Sequence, residues 1–129
     1  MTEEAGFIAA VLSEPEDRTS LLVYADWLDE RDDRRAAYLR QMAAAESDEK
    51  WVEEVSSVFR QLQRWVVARG CGAGTAVRVT LGPFAGNSGE VAGLFVKNHR
   101  VLATVRLMFW GQPMELELSV DELERIAPR

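Results

Sequence analysis

The chain has little of what most catalytic or anchored proteins need. Among its 129 residues there is one cysteine, Cys71, and one histidine, His99. A single cysteine excludes an intrachain disulfide and fits a reducing, cytoplasmic setting. A single histidine beside a single cysteine leaves too few soft ligands for a zinc site, so no metal is expected. No apolar run approaches the roughly 18 residues that span a bilayer. The opening MTEEAGFIAA is acidic where a secretory leader is basic, so neither a leader nor a membrane partner is expected.

Basic charge is also scarce where it would matter. The net charge is -6, and all of it falls in residues 1–69, whereas residues 70–129 balance to zero. An acidic half repels nucleic-acid phosphates, whose neutralisation needs clustered Lys and Arg. Its plainest reading is a solvated acidic helix surface.

What is present divides at a change of period. Phe7, Ile8, Val11 and Leu12 recur at the spacing of one helix face, and Pro15 with its acidic neighbours makes a turn. Asp17 or Thr19 caps a second helix striped by Leu21, Leu22, Tyr24, Ala25 and Leu28, with Trp27 one position off that stripe. Asp32 or Asp33 caps a third carrying Tyr38, Leu39, Met42 and Ala43. Ser47 and Asp48 open a fourth and longest one, with Trp51, Val55, Val58, Leu62 and Trp65 on its broad stripe. Short connections predict antiparallel neighbours.

GCGAG then breaks the helical pattern, and from Ala76 the period becomes two. Alternating AVRVT and MELELS flank the β-branched runs VAGLFV and VLATVRLMF. KNHR and WGQP are hairpin turns, and DELERI is a short strand or one helical turn. The expected fold is α+β. An antiparallel helical bundle (1–69) and a glycine hinge (70–75) precede a small barrel of four or five strands (76–129).

The glycines of VRVTLGPFAGNSGEV invite a phosphate-loop reading. Gly82, Gly86 and Gly89 lack the Lys and the following helix such loops require, so they read as turn chemistry instead. His99 reads as an exposed turn residue, and its pairing with Ser88 or Cys71 in a nucleophilic site has no support in spacing. The acids of DWLDERDD lack a calcium-loop pattern, and Asp26 or Asp29 as a catalytic acid is an outside reading. No enzyme, cofactor or small-molecule substrate is expected.

Two stretches resemble known families. FIAAVLSEPEDRTSLLVYADWLDERDDRRAAYLRQ, residues 7–41, is similar to the repeat-companion domain of planctomycete proteins. Leu22 to Leu28 match without a gap, and Arg35, Tyr38, Leu39, Arg40 and Gln41 follow in register. Asp32, Arg34 and Ala36 stand where that family favours Gly, Pro and Gly. The resemblance implies helices and a modular role, without an activity.

VRVTLGPFAGNSGEVAGLF and the later VLATVRLMFWGQPMELELSVDELERI resemble the KOW-containing C-terminal domain of the NusG transcription factors. Val77, Val79, Gly82, Pro83, Phe84, Ala85, Gly89 and Val91 match, as do Glu115, Leu116 and the Glu124–Ile126 ending. This implies a five-stranded SH3-like barrel that binds ribosomal protein, termination factor or RNA through loops at one end. The partner-binding residues it implies are Phe84, Asn87, Phe109, Trp110 and Gln112. Asn87 replaces a frequent aromatic and Gln112 a frequent Arg; Phe84 anchors the turn, and Trp110 makes the contact. The expected function is a non-catalytic adaptor that binds a protein, with transcription or translation machinery as the setting. The alternative is an RNA- or ribosome-binding module that uses Arg78, Lys97, His99, Arg100 and Arg106 on one barrel side.

Overall fold

The computed structural model describes residues 2–46 and 48–126 and is α+β. Four helices come first: α1 (Glu3–Ser13), α2 (Arg18–Asp29), α3 (Arg35–Ala44) and α4 (Glu49–Leu62). Their starts follow local chemistry. Thr2, Asp17 and Asp48 each accept a hydrogen bond from a backbone N–H of the first turn, at Ala5, Thr19 and Trp51. Ser47, expected to share the last cap, lies outside the described residues. The third helix has no side-chain cap on Arg34; Asp33 instead accepts from the Arg35 backbone N–H. Arg18 ties α2 to the end of α3, donating to the carbonyls of Ala43 and Ala45.

The fourth helical segment does not stay α-helical to Arg69. After Leu62 it widens into a π-helical turn over Gln63–Ala68, which ends as the Cys71 N–H meets the Trp65 carbonyl at 3.0 Å. The connector over 70–75, read from its glycines as a hinge, is tied down at both ends. Cys71 is fully buried and the Gly74 N–H donates to Val91 O at 2.7 Å.

Five antiparallel strands follow: β1 (Ala76–Val79), β2 (Ser88–Lys97), β3 (Arg100–Phe109), β4 (Gln112–Ser119) and β5 (Leu123–Arg125). A 3-10 turn over Val120–Glu122 precedes the last. The spatial order is β4-β3-β2-β1-β5, so β1 sits between β2 and β5. The sheet has β4 and β5 at its two ends, with no ladder between them among the described residues.

Alternation sets the core. Val101, Ala103, Val105 and Leu107 of β3 point inward, while Arg106 and Met108 point away. On β2 the register shifts between Val91 and Gly93. Beyond it Leu94, Phe95 and Val96 are all buried in succession, which needs cover on both faces. Arg34 supplies part of that cover, its guanidinium 4.3 Å from the Phe95 ring centre. Helices and sheet share one apolar core, running from Ile8 and Leu21 through Phe59 and Trp65 to Val77, Val105 and Leu123.

Candidate functional site

One end of the sheet gathers three aromatic side chains, Phe84, Phe109 and Trp110. Two loops build it, and glycine chemistry shapes both. In the β1–β2 loop, Gly82 and Gly86 take φ of 84° and 92°, the left-handed region that costs a side chain energy. The loop then closes on its own backbone: Gly86 N–H meets Val79 O at 2.8 Å, and Val79 N–H meets Asn87 O at 2.9 Å. Gly89 answers a different need. A Cβ there would lie 2.4 Å from the Arg106 carbonyl oxygen, so only glycine lets β2 and β3 approach.

The β3–β4 connection is a two-residue turn made by Trp110 and Gly111, with φ of 56° and 75° and Phe109 paired to Gln112 across it. Two left-handed residues are the signature of the tightest hairpin turn, whose first position favours Asn, Asp or Gly. A tryptophan there is a strained choice. Nothing in the core asks for it, because Trp110 is 88% exposed.

The rings form a series. Phe84 meets Phe109 edge to face with centres 5.3 Å apart, and Phe109 meets Trp110 at 5.9 Å, again edge to face. Phe84 and Phe109 are half-buried against the core, and Trp110 stands beyond them. Leu81 and Met108, 59% and 62% exposed, add apolar surface at the same end of β1 and β3. Of the five residues expected here, Phe84, Phe109 and Trp110 come into direct contact. Asn87 is turned to the fold instead: its Nδ2 donates to Phe84 O at 2.9 Å and holds the loop closed. Gln112 lies exposed at the start of β4, across from Phe109.

The five basic residues do not gather into one patch. Lys97, His99 and Arg100 sit at the β2–β3 hairpin, which docks on the helices. Arg106 lies six residues further along β3, roughly 20 Å at the rise of a strand. Three of the five face acids: Arg78 to Glu124 at 3.3 Å, Arg106 to Glu115 at 3.7 Å and His99 to Glu54 at 3.3 Å. His99 also shares a 2.8 Å hydrogen bond with the Tyr38 hydroxyl, so it bridges helix and sheet rather than facing solvent alone.

Asp26 and Asp29 share one arginine. Arg40 spans Asp26 at 2.8 Å and Asp29 at 3.3 Å. Among the described residues no group of three His, Cys, Asp or Glu side chains is placed to hold a metal ion. No described helix is long and apolar enough to cross a membrane.

Two features escaped the sequence reading. Arg35 is 5% exposed and grips Asp33 with a two-pronged contact, Nε to Oδ1 at 3.0 Å and Nη2 to Oδ2 at 2.7 Å. It also donates to Glu4 Oε2 at 3.0 Å and to the Tyr24 hydroxyl at 3.1 Å, while Tyr24 donates to Glu4 at 2.8 Å. Burial opposes the Arg35 charge, but the hydrogen bond to Asp33 and the surrounding negative charges outweigh it and hold the guanidinium protonated. Burial first, with Glu4 adding to it against the opposing pull of Arg35, raises the Tyr24 hydroxyl far above its usual range. The shared Glu4 Oε2 and the Arg35 guanidinium join α1, α2 and α3, so the cluster is a lock between them. Its only sequence trace was Arg35 in register with the repeat-companion pattern. The second feature is the indole of Trp65, buried with its Nε1 unpartnered.

Compared with protein-family models and with curated proteins, the chain matches none.

Proposed function

We propose that the chain is a non-catalytic adaptor that binds a protein partner through the aromatic end of its sheet. The single observation that carries this reading is Trp110, 88% exposed on a left-handed turn position that a smaller residue would occupy with less strain. An exposed tryptophan backed by packed rings has the make-up of an interface hot spot: a large apolar anchor on a rigid support. Phe84 and Phe109 are the support; Leu81, Met108 and Gln112 are the rim, and Asn87 fixes the loop that carries Phe84.

The finer fold reading is an SH3-like barrel of KOW type on a repeat-companion-like helical unit. Its support is the strand order, with β1 between β2 and β5, the irregularity in β2 and the 3-10 turn before β5. A KOW-type unit places the partner in the transcription or translation machinery. A lone, buried cysteine fits a reducing cytoplasm. An RNA-binding role through Arg78, Lys97, His99, Arg100 and Arg106 has weaker support, because acids face three of these and about 20 Å divides them.

The test is affinity capture from native lysate by the full chain and by Trp110→Ala, each with and without nuclease. A protein retained after nuclease and lost with Trp110→Ala supports the adaptor. Capture that depends on nucleic acid and ignores Trp110 supports the RNA module instead.

A further inference from the structure

The outer edge of β4 is where the sheet stops with bonds still to make. β4 pairs with β3 on one side, and among the described residues no ladder lies on its other side. The turn before it decides which backbone groups face outward. In a two-residue hairpin turn the flanking residues, here Phe109 and Gln112, exchange both backbone hydrogen bonds, and the exchange recurs at every second pair. Met114, Leu116 and Leu118 therefore bond to β3, whereas Pro113, Glu115 and Glu117 turn their backbone groups outward.

Two observations agree with this alternation. Pro113 has no N–H and fits where none is owed to the ladder. Val101 stands on β3 in the same alternation as Phe109, beyond the last β4 pair, and its N–H goes to Gln61. Among the described residues no backbone bond from another segment reaches Pro113, Glu115 or Glu117.

The apolar row is open at the same edge. Ala103, Val105 and Leu107 of β3 are buried, but their β4 partners Leu118, Leu116 and Met114 are only half-buried. A further strand would cover them with an apolar row of its own. The other row of β4 is acidic and exposed. Glu115 and Glu117 are held only loosely, each with one arginine at 3.7 Å.

Native edges of this kind are usually blunted by lysine, a bulge or short length. β4 runs for 8 residues in unbroken register with β3 and carries no lysine. A second copy of the chain is a poor occupant. In each centrally overlapping antiparallel register that keeps the apolar rows on one face, a Glu115 or Glu117 stands directly opposite another, and like charges so placed repel. Acidic positions alternating with half-covered apolar ones select a segment that alternates basic and apolar residues.

We propose that β4 accepts an extended segment of a partner protein as an added strand, one that alternates apolar residues with Lys or Arg. Its backbone bonds to the outward groups of Glu115 and Glu117. Its apolar row covers Met114, Leu116 and Leu118, and its basic row faces the two carboxylates. This surface lies along the flank of β4 and is additional to the Trp110 contact.

The test uses the full chain and a short, capped synthetic peptide that alternates valine and arginine, with a control peptide in which glutamate replaces arginine. Amide exchange and chemical shifts are followed by NMR. The arginine peptide should slow exchange at the Glu115 and Glu117 amides at least about ten-fold, whereas Met114 and Leu116 are protected before it is added. The glutamate peptide should bind several-fold more weakly, and Glu115→Lys with Glu117→Lys should reverse that order. Glu117→Pro removes an outward N–H that the ladder does not use, so the fold should hold and peptide binding should be lost. Glu115 and Glu117 amides that stay in fast exchange up to about 1 mM arginine peptide overturn the proposal. Equal binding of the two peptides overturns it as well. So does protection in the peptide-free chain that grows with protein concentration, which assigns the edge to a second copy.

Discussion

The side-chain amide of Gln61 pairs with the backbone of Val101 as a neighbouring strand would. Its Oε1 accepts the Val101 N–H at 2.9 Å, and its Nε2 donates to the carbonyl of His99, two residues earlier, at 3.0 Å. A helix residue thus completes the edge of the β2–β3 hairpin, with Tyr38 and Glu54 gripping His99 beside it. The helical and β halves are fastened here by directed bonds as well as by their common core.

Gln61→Ala should therefore destabilise the whole chain. The Val101 N–H would lose its acceptor in a half-buried position, at a cost of about 1–3 kcal/mol. Denaturant unfolding followed by helical circular dichroism and by tryptophan fluorescence should give one coincident transition in the unaltered chain. The variant should unfold at lower denaturant, and separate transitions would show that the halves are coupled mainly through this clamp.

The Arg35 lock sets a second expectation. Arg35→Ala leaves Asp33 and Glu4 without their counter-charge and should cost about 3–5 kcal/mol, measured as the fall in unfolding free energy. Arg35→Met, with a stem of similar length and no charge, strands the same two carboxylates and should be nearly as damaging at pH 7.

Tyr24 supplies a pH dependence of known sign. Its hydroxyl is raised in the folded state, chiefly by burial, so the stability it contributes is complete below pH 10, its ordinary value. Above that, the unfolded chain releases the proton and the folded chain keeps it, and stability falls by up to about 1.4 kcal/mol per pH unit. Tyr24→Phe should lose its hydrogen-bond contribution at pH 7, and the gap between the two proteins should narrow above pH 10. A constant gap across that range would contradict the assignment.

Cys71 should be inert to alkylation in the native protein. It is fully buried, and burial pushes its thiol up despite the nearby Arg125 and Arg69. Mass spectrometry after brief treatment with iodoacetamide should show modification only once denaturant is added.

How much of this was legible in advance depends on whether the signal was local. Helix starts at Asp17 and Asp48 and turns at Asn98–His99 and Trp110–Gly111 are written in neighbouring residues, and the structure places them as expected. The change of period at Ala76 likewise marks where strands begin. The widening of the fourth helix after Leu62 carried no such mark, because Gln63–Ala68 holds no Gly or Pro and keeps an apolar stripe. The KOW resemblance implies Asn87 as a partner-binding residue, yet its amide serves the Phe84 carbonyl, a choice only the closed loop reveals. The basic residues looked collective in sequence; strand geometry separates them, and their carboxylate neighbours come from other strands and from α4. The Arg35 lock joins residues from positions 4 to 35 and has no short-range pattern to find.

The most direct measurement concerns Trp110, and Trp110→Asn separates fold from function. Asparagine suits the left-handed first position of this turn, so thermal stability should hold or rise, by up to about 1 kcal/mol. Binding of the protein partner captured by the unaltered chain, measured with both purified, should fall by at least 30-fold, the about 2 kcal/mol typical of a hot-spot side chain. A stable variant that binds that partner with unchanged affinity would contradict the assignment of the aromatic end as the interface.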